Sequence, residues 1–524
     1  MKALNIFKKT ICYSFIAMMA FIWITVIFAS SFVDFFLKKE FCLPNFVLLL
    51  IGLLAIAAFG FIGIACKKYF APFVDNLITR RSILLAAILG FFAQCYICYN
   101  FYFLTGWDVG VIFHSAATVA NGGEADSAYL SQYPNNVFLV LFYSSILKIN
   151  SSIGIFTENS GIFSLIVLQC LFSAIVAYLV YSITYEFTGH KEISAFAFLL
   201  YSFYVGLSPW FSIPYSDATG ILFPILTFRV WQMSKSTESV RKKIILYLIL
   251  GALSFVAFKI KPQTFIIAIA ILIFEVLKTI CLWVKEKKFP ISATKLCLFI
   301  SMFLLSSMIF SSVAKSTDAV TIDEEREFGI SHFFMMGLYE ETHGVWNEVD
   351  VGFSASHATK EERDKANINV AIERIKSYGV GGLFKHVSKK TMLNFGDGTF
   401  AWGGEGNFFI NIQNIKNSEI SPFIRSFYYR DGENYGTFIN LSQILWLTVL
   451  SLSSLSALYS LKNKSKRGEE ATVLILSIIG LTLFETLFEP RARYLFTYAP
   501  IFIICACIGL FSVLKEIKQK GLIK

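Results

Sequence analysis

Apolar residues in this chain fall in long blocks, not in strict alternation or narrow stripes. Runs occupy 11–32, 44–66, 82–104, 162–185, 192–209, 217–233, 244–259, 264–284, 292–313, 437–461, 470–488 and 494–514. Most approach the roughly 20 residues that a helix needs to cross ~30 Å of hydrocarbon. The pattern predicts an all-α polytopic membrane protein with about twelve transmembrane helices, because only self-satisfied backbone survives in lipid. A shorter run at 136–148 fits a re-entrant or juxtamembrane helix better than a span.

Loop charge orients these elements. Lys8-Lys9, Lys67-Lys68, Arg80-Arg81, Arg241 to Lys243, Lys285 to Lys288 and Lys462 to Arg467 all flank apolar runs. If 136–148 does not cross, every one of them shares the side of the N-terminus, as does the tail KEIKQKGLIK. That choice obeys the positive-inside rule and predicts cytoplasmic termini. The N-terminus has the flanks of a signal peptide, but its apolar core is too long and reads as a retained first helix.

The predicted organisation is an N-terminal transmembrane hairpin (1–81) and a membrane core (82–313) whose first external loop is 105–161. A late external α-rich subdomain (314–436) and C-terminal transmembrane helices (437–524) follow. In the subdomain, TKEERDKANINVAIERIKSYG reads as a helix with Thr359 and Glu362 at capping-box spacing and Gly379 as its stop. Ile368, Ile372 and Ile375 line one face of it. GGLFKHVSKKTMLNF, with Lys385, Lys389 and Lys390, reads as an interface-lying helix.

Composition agrees with the pattern. Of 524 residues, 56% are hydrophobic, 55 are Phe and only 16% are charged, with a mean hydropathy of +0.62. Soluble domains carry roughly a quarter charged residues. The net charge of +10 is absorbed by the membrane-flanking clusters, so no nucleic-acid partner is implied. Most of the ten cysteines lie inside apolar runs, which argues against a disulfide framework. Cys95 and Cys98 form a CxxC, but within a span, where small packing residues are the simpler account.

Candidate chemistry concentrates in TGWDVGVIFHSAATVANGGEADSAYLSQYPNN, residues 105–136. Asp108, just past a membrane exit, suits a carboxylate general base. Glu124 and Asp126 are candidates for a second acid or an acceptor-binding group. Asp217, at a helix start among aromatic residues, is another. Tyr133, Pro134 and Asn135 shape the loop, and Asn135 or Asn136 is placed to cap the next helix. Lys259 and Lys261, with Arg491 and Arg493, put cations on the outer side, against the general bias. Lipid snorkelling accounts for such residues, but phosphate binding accounts for their pairing as well. His332, His343 and His357 are too widely spaced for a zinc motif, and no nucleotide-binding or nucleophile-elbow motif occurs.

These segments resemble the GT-C superfamily of integral membrane glycosyltransferases. They are most similar to bacterial relatives of protein O-mannosyltransferases and of the lipid A aminoarabinose transferase. The likeness rests on GWDVG in the first loop, YPNN opening the next helix, FKIKPQ against the family's LtKp pattern, and EPRARYLFTYAP near the C-terminus. It covers roughly 82–265 and 485–505. MGLYEETHGVWNEVD and FGDGTFAW look like segments of Gram-positive members. The family pattern has adjacent acids in the first loop, whereas Val109 follows Asp108 here, leaving the second acid open.

The resemblance implies a donor sugar on polyprenyl phosphate and transfer by inversion on the outer face, with Asp108 as base. Lys259, Lys261, Arg491 and Arg493 would bind the donor phosphate. It implies a cell-envelope acceptor such as a surface glycan or a teichoic-acid-like polymer. No cofactor is fixed by it, and metal dependence varies within the superfamily. The alternatives are a lipid-linked glycan flippase or transporter, or a glycan polymerase.

Overall fold

The structure is a computed structural model that describes residues 2–28, 43–287, 291–405 and 420–520. The end of the first apolar run, Lys288, the 406–419 stretch of the polar subdomain and the last residues of the tail lie outside the described residues.

Apolar blocks become helices because a helix satisfies its own backbone. The first half of the chain forms α1 (Lys2–Trp23), α2 (Asn45–Leu77), α3 (Arg80–Tyr99), α4 (Asp108–Ala120), α5 (Ser127–Gln132), α6 (Val137–Ser152) and α7 (Glu158–Thr188). It continues with α8 (Lys191–Tyr204), α9 (Ser216–Gly220), α10 (Leu222–Ser236), α11 (Val240–Ile260), α12 (Ile266–Glu286) and α13 (Ile291–Ser316). Among the described residues, 10 helices are long and apolar enough to cross a membrane. They match ten of the twelve apolar runs. The runs at 192–209 and 217–233 form the shorter α8, α9 and α10: the first run leaves its helix at Tyr204, ahead of Pro209, and the second is broken between Gly220 and Leu222.

A charge network defines one end of this bundle. Lys278 Nζ lies 2.7 Å from Glu469, and Lys235 Nζ lies 3.2 Å from the same carboxylate and 3.4 Å from Glu275. Arg467 bonds Glu470 at 2.7 Å and pairs with Glu186, while Lys8 donates to the Asn463 carbonyl at 2.7 Å. This basic end gathers α1, α7, α10, α12 and the later helix α21 (Lys466–Leu487). α3 begins beside it, where Arg80 influences Arg229, and α7 ends in it at Glu186. Residues 100–157 therefore return to the opposite end, and α6, at 16 residues, is not among the helices long enough to cross. α6 instead packs on α4, burying Val137, Leu139, Val140 and Leu147.

The polar subdomain sits at that opposite end. It contains α14 (Ile330–Met336), α15 (Glu348–Ala355) and α16 (Lys360–Phe395). Thr359 Oγ1 accepts the Glu362 N–H at 3.3 Å, which caps α16 as its spacing predicted. α16 bends at Gly379, whose φ of +55° lies in the left-handed region that only glycine adopts readily. Two expectations fail here. Ile368, Ile372 and Ile375 stay 37–43% exposed, because the inward face of α16 is polar. Arg363 donates to the carbonyls of Ser354, Glu325, Glu327 and His357, and Arg374 forks onto Asp350. Lys390, expected at a lipid interface, is 1% exposed and turns inward to backbone carbonyls.

The remaining helices are α17 (Trp402–Glu405), α18 (Ile420–Tyr428), α19 (Tyr435–Ser454), α20 (Ser456–Lys462), α21 and α22 (Ala499–Gln519). α1 packs on α20 and α21, and α2 on α19, so the two ends of the sequence share one bundle.

Two outcomes follow from these interactions. Glu469→Gln leaves two lysines without their shared acid and costs about 3 kcal/mol of stability in detergent. Adding Lys278→Met recovers part of that loss, read from chemical unfolding of both variants. Second, burial pushes His332 from 6.5 down to about 4, and its Nδ1 meets Ser354 Oγ at 2.7 Å. Between those values the unfolded chain binds a proton that the folded one refuses, so stability falls as pH drops through that window. Protection factors of α14 and α16, corrected for the intrinsic exchange rate at each pH, fall on acidification from pH 6.5 to 4, and His332→Asn flattens the response.

Candidate functional site

The site begins where α3 leaves the bundle. Trp107 precedes the first turn of α4, and Asp108 occupies that turn, where a carboxylate is favoured by the helix dipole. Asp108 is half-buried, and the Tyr215 hydroxyl donates to its Oδ2 at 3.0 Å. The Tyr129 phenol lies against the same carboxylate. Burial first, and Asp108 second, push that phenol well above its ordinary value.

Tyr215 is the hinge of the arrangement. The Arg493 guanidinium lies 5.6 Å from its ring centre, 4.7 Å from that of Trp107 and 5.4 Å from that of Tyr494. The Lys261 ammonium lies 5.8 Å from the Tyr215 ring and 4.6 Å from the Tyr494 ring. Both cations are nearly buried, at 7% and 6% exposure. Aromatic faces, which carry negative potential, offset part of the cost of removing them from water. Lys261 also forms an ion pair with Asp217, which is fully buried.

Of the four cations read from the sequence, three meet here. Arg491 Nε lies 3.8 Å from Glu489 Oε1, and the Tyr494 hydroxyl donates to Glu489 Oε2 at 2.7 Å. Lys259 does not join them. Its ammonium lies 5.4 Å from the Phe310 ring and responds to Glu327 of the polar subdomain.

The acids divide differently from their sequence positions. Glu124 is exposed, and the hydroxyls of Thr321 and Ser127 hold its carboxyl below the usual range. Asp126 caps α5 by accepting the Tyr129 N–H at 3.0 Å. Asp217 serves Lys261. Besides Asp108, Glu489 is a further acid of the cluster, held by Tyr494 and beside Arg491. Tyr133 reports both, since its phenol is pushed up to about 12 by burial, then by Asp108 and Glu489. Tyr133, Pro134 and Asn135 form the tight turn into α6. No side-chain cap forms there: Asn136 Oδ1 accepts from Asn135 Nδ2 at 3.3 Å, and its Nδ2 donates to the Tyr129 hydroxyl at 2.7 Å.

Sequence reading missed Trp107, Tyr494 and Glu489. Their signal was present in GWD and in EPRARY, where each stands within two residues of a chosen charge.

The polar subdomain holds both loops that carry the site. Residues 319–328 run along 125–132, with Ala125 N–H to Ala319 O, Phe328 N–H to Gln132 O and Asp323 N–H to Ser131 Oγ, each at 2.9 Å. Lys390 Nζ bridges the carbonyls of Gly337 at 2.8 Å and Phe488 at 2.6 Å. Burial pushes that lysine down to about 7. Among the described residues, no group of three or more His, Cys, Asp or Glu gathers as a metal site.

A Cβ at Gly337 would stand 2.7 Å from Leu487 O and 2.8 Å from Phe488 O. Gly337→Ala therefore lifts the subdomain off the 487–489 backbone. Amide exchange at 487–494 rises in this variant while α3 and α11 keep their wild-type rates.

The sequence model of the conserved hypothetical integral membrane protein family matches residues 4–512, so the chain belongs to that family. A search of curated proteins finds no match.

Proposed function

We propose that this integral membrane protein is a glycosyltransferase. It takes a sugar from a polyprenyl-phosphate donor and passes it to a cell-envelope acceptor at the outer face. One observation carries the reading: the carboxylate of Asp108 and the guanidinium of Arg493 meet on the same side chain, Tyr215. A base and a phosphate-binding cation must lie this close to act on the two sides of one anomeric carbon.

In the proposed reaction an acceptor hydroxyl attacks the anomeric carbon, and Asp108 takes its proton. The bond from that carbon to the phosphate oxygen breaks, and the electron pair leaves with polyprenyl phosphate. Inversion at the carbon follows from attack opposite the leaving group, as in the base arm of an inverting glycosidase. Arg493 and Arg491 stabilise the charge on the departing phosphate, a task for which forked guanidinium donors are suited. Lys261, paired with Asp217, sets the position of Tyr494 and Tyr215 and adds positive potential behind them. Tyr215 and Tyr129 orient the Asp108 carboxylate.

The charge network at the basic end supports an enzyme over a flippase. It ties α1, α7, α10, α12 and α21 together, and alternating access would require these helices to part. On the positive-inside rule that end is cytoplasmic, which puts Asp108 outside.

The test is sugar transfer in cells that lack their own copy of the gene, read by envelope sugar composition. Asp108→Asn lowers transfer by at least about a hundredfold without loss of folded protein. Arg493→Lys lowers it on the order of tenfold, because an ammonium lacks the fork. Wild-type transfer by correctly folded Asp108→Asn would end the proposal.

A further inference from the structure

Glu489 has no role in the reaction as drawn, yet two hydrogen-bond donors hold it beside the site. Tyr494 donates to one oxygen at 2.7 Å, and the backbone N–H of Trp346 donates to the other at 3.3 Å. Arg491 Nε stands 3.8 Å from that second oxygen. The donors come from two elements far apart in sequence, the 491–498 segment and the polar subdomain. Its side chain keeps 14% exposure, whereas Asp217 and Glu485 are fully buried. A carboxylate fixed by donors and still open to solvent retains lone pairs for an incoming hydroxyl.

Trp346 adds the second observation. Its main chain meets Glu489, but its side chain is 44% exposed, in a subdomain whose Trp402 is wholly buried. An indole left in water beside an acid suits a ligand with an apolar face and a polar rim. A pyranose ring has that character, with C–H groups on its faces and hydroxyls around its edge.

We infer that Glu489 and Trp346 form the acceptor subsite, and that the acceptor they take is a carbohydrate. Glu489 accepts a hydrogen bond from an acceptor hydroxyl next to the attacking one, and Trp346 packs on the acceptor ring. The subdomain thereby completes the site, supplying Trp346 and holding Glu489, while Asp108 and the arginines act on the donor side. This inference rests on the glycosyltransferase reading and deepens it.

The experiment compares Glu489→Ala, Trp346→Ala, Trp346→Phe and Asp108→Asn in the deletion strain. Transfer is read separately in the polysaccharide and protein fractions of the envelope. Binding of polyprenyl monophosphate to each purified full-length variant is read by native mass spectrometry. The expected result for Glu489→Ala and Trp346→Ala is at least about a tenfold loss of transfer, with affinity for the probe within about twofold of wild type. Trp346→Phe restores most of the transfer, and the transferred sugar is found on polysaccharide. Near-wild-type transfer by Glu489→Ala, probe binding lost together with transfer, or the sugar found on protein would each overturn the inference. If Glu489→Ala transfers normally while Asp108→Asn does not, only the acceptor subsite falls. If Asp108→Asn transfers normally, the underlying reading falls.

Discussion

The site depends on keeping a lysine and an arginine almost out of water at the end of a helix bundle. Such burial costs several kcal/mol per ion unless each charge is compensated where it stands. Lys261 has a buried carboxylate, Asp217, as its partner. Arg493 lies among the faces of Trp107, Tyr215 and Tyr494, which attract a cation and offset part of the cost of its burial.

The scaffold around that cluster is correspondingly stiff. Phe400 and Ala401 adopt φ of 57° and 62°, a left-handed conformation that costs about 1–3 kcal/mol per non-glycine residue. Asp397 offsets this by accepting from Thr399 N–H and Oγ1 at 2.7 Å and from Ala401 N–H at 2.8 Å. The turn thus drives the Phe400 ring between Tyr204, Trp446 and Phe496. Phe496 lies three residues beyond Arg493, so FGDGTFAW braces the segment that carries the arginine. At the far end of the bundle, the ion network provides a second fixed point.

Membrane architecture was legible in the sequence because hydrocarbon imposes a length and a polarity that few residue choices satisfy. Ten apolar runs became ten long helices, Thr359 capped its helix, and Gly379, read as a stop, put a kink in it where only glycine adopts the backbone readily. Asp108, Lys261, Arg491 and Arg493 were legible as charges in costly places. What sequence could not supply was partnership. Asp217, a candidate second acid by sequence, is the counter-ion of Lys261, 44 residues away. Lys259, two residues from Lys261, faces elsewhere because it sits in the last turn of α11, whereas Lys261 lies past the helix end in extended backbone. Aromatic residues are so common here that Tyr215 could not be told from packing until its hydroxyl was seen on Asp108. The inward face of α16 was misread because its Arg363 and Asn367 satisfy backbone and side-chain groups, a pattern hydropathy does not score.

Photo-crosslinking tests the convergence of these residues on a lipid phosphate most directly. A polyprenyl phosphate carrying a diazirine next to the phosphate is activated in membranes holding the full-length protein, and adducts are mapped by mass spectrometry. The account predicts adducts on Trp107, Tyr215 and Tyr494 that disappear when unlabelled polyprenyl phosphate is added in excess. Competable adducts confined to the basic end of the bundle, or to the lipid-facing sides of α2 and α13, would contradict it.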